Sequence, residues 1–140
     1  MTIPYSVDEI GYDAFARCTN LTSLVFIGKT LETIESMDNY PWGIDNPLTT
    51  IHENMSYTIA IYDNGSIKVY DIIGQLRSNS IDNIEDAIEI IVGSNVTSIA
   101  SNAFSNCALL SNAYLPDSIT NIGDGIFSGC VNLVNADLLM

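Results

Sequence analysis

One twelve-residue phrase occurs three times in this chain, and a chain that repeats itself at short range folds by stacking its copies. Ile99-Ala-Ser-Asn-Ala-Phe104-Ser-Asn-Cys107-Ala-Leu-Leu110 returns as Ile122-Gly-Asp-Gly-Ile-Phe127-Ser-Gly-Cys130-Val-Asn-Leu133, every position moved by the same period of 23. The chain also opens with it, as Ile10-Gly-Tyr-Asp-Ala-Phe15-Ala-Arg-Cys18-Thr-Asn-Leu21. The segments leading into the phrase agree too: Ile3-Pro-Tyr-Ser-Val7, Val92-Gly-Ser-Asn-Val96 and Leu115-Pro-Asp-Ser-Ile119. A unit of this length cannot bury its apolar face alone, so its neighbours must supply the rest of one continuous core.

The period also exposes a degenerate copy. One period before Phe104, Cys107, Leu110, Ala113 and Leu115 stand Ile81, Ile84, Ala87, Ile90 and Val92, all apolar or small. The short run ending at Leu115 reads as a strand, and stacked copies would make a parallel sheet with strands ~4.8 Å apart. Ile99, Ala103, Phe104 and Cys107 follow helical spacing, so each coil is expected to hold one short strand and one short helix.

The interval from Cys18 to Cys107 is not a whole number of periods. An insert over residues 30–75 is therefore expected to interrupt the array. Within it, Tyr57-Thr-Ile-Ala-Ile-Tyr62 and Ile67-Lys-Val-Tyr-Asp-Ile72 flank Asp63-Asn-Gly-Ser66, a hairpin signal in which both central residues take positive φ. That turn puts Thr58, Ala60, Tyr62, Ile67 and Val69 on one face, and Tyr57, Ile59, Ile61, Lys68, Tyr70 and Ile72 on the other. Both faces are largely apolar and an isolated hairpin is unstable, so it should pack on the coils, on another chain, or on both. One domain is expected over residues 1–140: a coil at 1–29, the insert with its hairpin at 30–75, the degenerate coil at 76–98, a coil at 99–121 and a partial coil at 122–140.

The repeated phrase, Ile-Gly-x-x-Ala-Phe-x-x-Cys-x-x-Leu followed by Leu-Pro-x-Ser-Ile-Thr, resembles the BspA-like class of leucine-rich repeat. The likeness covers positions 1–29 and 96–140 well, positions 76–95 weakly and the expected insert not at all. Ala100 for glycine, Gly125-Ile126 for the usual x-Ala, and the missing Phe and Cys of the degenerate coil depart from it. The resemblance implies an α/β repeat solenoid, a right-handed coil with a parallel strand ladder and short helices, here carrying the antiparallel β-hairpin. It also implies protein–protein or cell-surface adhesion, with an extracellular, cell-surface or virion location.

Composition narrows the partner. Seventeen acids against four bases give a net charge of −13, which repels nucleic acid and anionic lipid surfaces. No apolar run approaches the ~20 residues of a membrane span, and the start MTIPYSVDEIG carries no basic segment leading into an apolar one, so neither membrane insertion nor a signal peptide is expected. No catalytic residue, cofactor or metal is expected either. Cys18, Cys107 and Cys130 hold one slot per coil rather than clustering as ligands do, which suits a thiol ladder in the core, with a Cys107–Cys130 bridge as the alternative. His52 is the sole histidine and lies near no nucleophile motif. Glu85, Asp86 and Glu89 fall between apolar slots and should point to solvent.

What remains is a surface. Side chains alternate along a strand, so the residues flanking the inward slots face outward: Ser23 and Val25, Glu89 and Ile91, Asn112 and Tyr114, Asn135 and Asp137. Leucine-rich repeats bind through this face, which raises these eight as partner-binding residues, with Tyr114 as the largest anchor. Trp42, the only tryptophan, is either a further exposed anchor or a core plug at the edge of the insert. The function so read is a non-catalytic interaction module for a protein partner. A carbohydrate-binding or enzyme accessory domain, or an architectural spacer of a longer or phage-associated protein, are the alternatives. Both ends cut the repeat near a strand slot with no polar cap, so a longer parent chain, or association of copies through the terminal coil or hairpin, is expected.

Overall fold

The computed structural model describes residues 1–139, and their side chains up to residue 136. The chain divides into two compact units, Met1–Met55 and Ser56–Met140, where the sequence reading has one domain.

In the first unit, β1 (Thr2–Ile3), β2 (Ser23–Ile27) and β3 (Thr50–Asn54) form a sheet in that order, all parallel. Between β2 and β3 runs α1 (Leu31–Ser36), whose N-cap Thr30 accepts a hydrogen bond from the Thr33 amide. Residues 30–54, expected to belong to an insert, are thus repeat structure. Ser23 pairs with Thr50, a longer step than the one from Glu89 to Asn112, so a fixed period passes over this coil. Leu24 and Phe26 point inward and pack with Ile3, Ile34 and Trp42.

The second unit begins with β4 (Thr58–Tyr62) and β5 (Ile67–Tyr70), followed by β6 (Gly74–Leu76), a 3₁₀ turn at Ile84–Asp86, β7 (Ala87–Ile91), β8 (Val96–Ile99), β9 (Asn112–Pro116), β10 (Asn121–Ile122) and β11 (Asn135–Leu139). β11, β9 and β7 are parallel and keep the sequence period, as Glu89 pairs with Asn112 and Asn112 with Asn135. β4 then joins β7 antiparallel and β5 joins β4, giving the sheet order β11-β9-β7-β4-β5. A second parallel sheet, β10-β8-β6, supplies another wall. The degenerate copy is a true coil: Ile81, Ala87, Ile90 and Val92 are buried and Ile84 packs beside them.

Each coil of the second unit therefore carries two short strands, and the expected short helix over Ile99–Cys107 is a run of turns. The backbone hydrogen bonds show why. Ala103, Ser105 and Cys107 donate to carbonyls three residues back in their own coil, while Asn102, Phe104 and Asn106 donate to Asp124, Ile126 and Ser128 of the next, at 2.9, 3.0 and 2.6 Å. Half of the amides leave the segment, so no i→i−4 ladder can form. Asn102 and Asn106 adopt positive φ, which asparagine tolerates, to turn those amides outward. The first unit repeats the device, with the Phe15 amide donating to the Trp42 carbonyl.

Stacking this close leaves no room for side chains at one point. A Cβ on Gly123 would lie 2.3 Å from the Ser101 nitrogen and 2.6 Å from its Cα, both main-chain atoms of the preceding coil. Gly123→Ala should therefore lower the stability of the second unit by about 1–3 kcal/mol, read as a shift of the urea midpoint. An unchanged midpoint would mean that the coils are not in this contact.

The hairpin turn differs from the expected one. The Tyr62 amide donates to the Ser66 carbonyl, and only Gly65 of the turn has positive φ, so three residues close the loop instead of two. One added residue shifts the register by one. Ile59 then faces Val69 and Ile61 faces Ile67, while Ala60 faces Lys68 and Thr58 faces Tyr70. Ile67 and Val69 consequently share a face with Ile59 and Ile61, correcting the assignment made from a two-residue turn.

Candidate functional site

The strand faces hold the expected site residues, distributed over both units. In the second unit they form two rows across the sheet. One row runs Asn135, Asn112, Glu89, Ile61, Ile67; the other runs Tyr114, Ile91, Ile59, Val69, with Asp137 paired to Tyr114 at its far end. The side chain of Asp137 lies outside the described residues. Asn112 and Tyr114 are half-buried, and the Asn135 amide donates to the Asn112 side-chain oxygen at 3.0 Å, a rung between adjacent coils. Glu89 is half-buried, and that burial raises its carboxyl above the ordinary range. A cation near this row would relieve the cost of keeping Glu89 charged.

Ile91 fails as a surface residue. It is 7% exposed, because β4 lies against β7 and sets Ile59, itself fully buried, directly opposite. Ser23 and Val25 belong to the first unit, half-buried on β2 beside Thr50 and His52 of β3. Thr50 and His52 are exposed and joined side chain to side chain at 2.8 Å. Sequence reasoning missed this pair on the face because the longer step to Thr50 hid β3. The apolar half of the other face, Ile61, Ile67 and Val69, was missed through the hairpin register.

Of the two readings of Trp42, the core plug holds and the exposed anchor does not. Trp42 is fully buried, with ring centroids 5.5 Å from Phe26, 6.3 Å from Phe15 and 5.2 Å from Tyr40, and its indole N–H donates to the Asp38 carbonyl at 3.0 Å. Its bulk and one polar group are both satisfied inside the first unit, so it presents nothing to a partner.

Of the chemistry-bearing residues, Cys107 and Cys130 stand close enough to influence each other. The three cysteines are free thiols: Cys18 exposed, Cys107 buried and pushed up to about 11, mainly by burial, and Cys130 half-buried with its thiol donating to the Phe104 carbonyl. Among the described residues no cluster of three or more His, Cys, Asp or Glu is placed to hold a metal ion, and no helix is long and apolar enough to cross a membrane. Phe104 and Phe127, the repeat's aromatic slot, stack at 5.6 Å and 14°.

Known proteins place this architecture. Over its whole length the chain is similar to 32% of a leucine rich cell surface protein from Faecalibacterium prausnitzii A2-165, at 21% identity and a TM-score of 0.43, so it spans about a third of that protein. No curated protein matches it. The BspA type leucine rich repeat region, in six copies, matches residues 1–40 and 43–139, including the stretch expected as an insert, and the chain belongs to this family of leucine-rich repeats.

Proposed function

We propose that this chain is a non-catalytic interaction module that binds a protein partner at a cell surface through the outer face of β7, β9 and β11. The carrying observation is the pair of rows on that face, in which Tyr114 stands beside polar Asn112, Asn135 and Glu89, and the rows continue through β7 to the apolar strip of the hairpin. A central aromatic with a polar surround is the usual anatomy of a binding patch. Asp137, by its register opposite Tyr114, extends the patch, and Ser23 and Val25 form a separate small one in the first unit. The surface location rests on what the family implies, and the net charge of −13 points away from nucleic acid.

A glycan-binding or spacer role is distinguished by one measurement. Binding of the wild-type chain and of Tyr114→Ala is read against a panel of purified surface proteins and a glycan array. Tyr114→Ala should weaken a protein partner's binding by ~1–3 kcal/mol with an unchanged melting curve. Signal on glycans alone, wild-type affinity in both Tyr114→Ala and a Glu89→Ala/Asn112→Ala double variant, or no binding in either panel would overturn the reading.

A further inference from the structure

β5 is the last strand of the five-stranded sheet, with β4 on one side and, among the described residues, no strand on the other. The Tyr62-to-Ser66 bond that closes the hairpin fixes which way its backbone points. Antiparallel pairing alternates from there, so the main chain of Ser66, Lys68 and Tyr70 turns toward β4 and that of Ile67 and Val69 turns outward. Two amides and two carbonyls thus line an open edge. The side chains of the same two residues are 37% and 48% exposed on the outer face. Charged residues commonly guard such edges. Here the one cation of the strand, Lys68, is drawn to the inner side, its ammonium 5.7 Å from the Tyr62 ring centre.

Beside the edge, on that inner side, lies a cavity of about 180 Å³. Asp63, Asp86, Asn64, Asn83 and Ser66 line it together with Tyr62 and Lys68. The Asp63 amide donates to the Asp86 carbonyl at 3.0 Å, which pins the two acidic residues at one place. The space is below the roughly 300–1,000 Å³ of small-molecule sites and suits a single side chain. The Asn64 side-chain oxygen already accepts from the Ser66 amide and hydroxyl. The two carboxylates, offset in part by Lys68, are therefore the acceptors that carry the site, and their complement is a planar, positively charged fork of N–H donors.

We propose that β5 is a docking edge for an extended, arginine-bearing peptide strand, whose backbone pairs with Ile67 and Val69 and whose guanidinium enters the Asp63–Asp86 cavity. Main-chain bonds give the affinity of strand addition, and the cavity gives the selectivity. Charge decides against a second copy as the occupant, since each copy brings −13 to the contact. The site uses the main-chain edge of β5 and the inner cavity, while Tyr114 lies on β9 with β7 and β4 between. The two share only the Ile67 and Val69 side chains that end the rows of the outer face.

The test uses the full chain labelled with ¹⁵N and two probes: a seven-residue peptide alternating threonine and valine around a central arginine, and the same peptide with citrulline in its place. The arginine peptide should shift the Ile67 and Val69 amide resonances and slow their hydrogen exchange. Citrulline should bind about tenfold more weakly, because it keeps the shape and loses the charge. An isosteric Asp63→Asn/Asp86→Asn variant, its fold checked by an unchanged melting curve, should lose the same tenfold. Val69→Pro removes an outward amide at a position where an edge strand tolerates proline, and should abolish binding. Equal affinity for the two peptides, or shifts confined to residues away from β5, would overturn the proposal. So would a dimer seen by light scattering that competes with the peptide, which would assign the edge to a second copy. Loss of binding in Tyr114→Ala bears only on the strand-face reading.

Discussion

Phe104→Ala should remove a large share of the stability of the second unit. Phe104 is fully buried and its ring stacks on Phe127 at 5.6 Å, so truncation loses apolar burial and opens a cavity between two coils at once. Such a change costs about 3–5 kcal/mol, against a total of about 5–15 kcal/mol for a typical domain. Phe127 is half-buried, and Phe127→Ala should cost clearly less. Urea unfolding followed by circular dichroism ranks the two. Equal midpoints for Phe104→Ala and the wild type would show that the repeat's aromatic slot is not core.

Trp42→Ala should be the most damaging single change in the first unit. That unit spans Met1–Met55, and below ~70–80 residues a single core rarely supplies more than ~3–5 kcal/mol. Removing the indole, which touches Phe15, Phe26 and Tyr40, takes away about as much. Trp42→Phe keeps one aromatic ring but loses the rest of the indole and its bond to the Asp38 carbonyl, so it should cost less than Trp42→Ala and more than the ~1 kcal/mol of the bond alone. As Trp42 is the sole tryptophan, wild-type emission should be blue-shifted and move red as the unit unfolds. A red-shifted native spectrum, or a Trp42→Ala variant that melts like the wild type, would return Trp42 to the surface.

Where the coils keep one period, the fold was legible down to the slot. Phe104 over Phe127, Ala113 and Leu115 inward, and the Ile81 coil without its Phe all follow from spacing, because a stack forces equivalent residues into register. The coil ending at β3 escaped because the step from Ser23 to Thr50 is longer, and a period search rewards only equal steps. The turn segments were misread for another reason. Helical spacing of Ile99, Ala103 and Cys107 is also what a run of turns with one inward side produces, and only the destination of the backbone amides separates the two.

The candidate face was legible in part for the same kind of reason. Alternation along β9 placed Asn112 and Tyr114 on the outer side. It could not show that β4 would settle beside β7 and cover Ile91, since that is a pairing between distant strands. A single residue in the turn decided the faces of Ile67 and Val69. Asn-Gly is compatible with a loop of two or three residues, and the choice is made by whether Asn64 joins Gly65 in the left-handed conformation, which it does not.

The rungs between coils have a consequence for how such a chain can change. Ser111 donates its hydroxyl to the Ile88 carbonyl, Thr120 to that of Thr97, and the Asn132 amide to that of Ala108. In each case the acceptor is main chain, present whatever side chain stands there. Through these three bonds a coil recognises its neighbour as a backbone and not as a sequence, unlike the Asn135–Asn112 rung, where both partners are side chains. Outward residues that take no part in such side-chain rungs are free to drift without consent from the next coil, which is how a stack keeping one shape can accumulate a different surface on every turn.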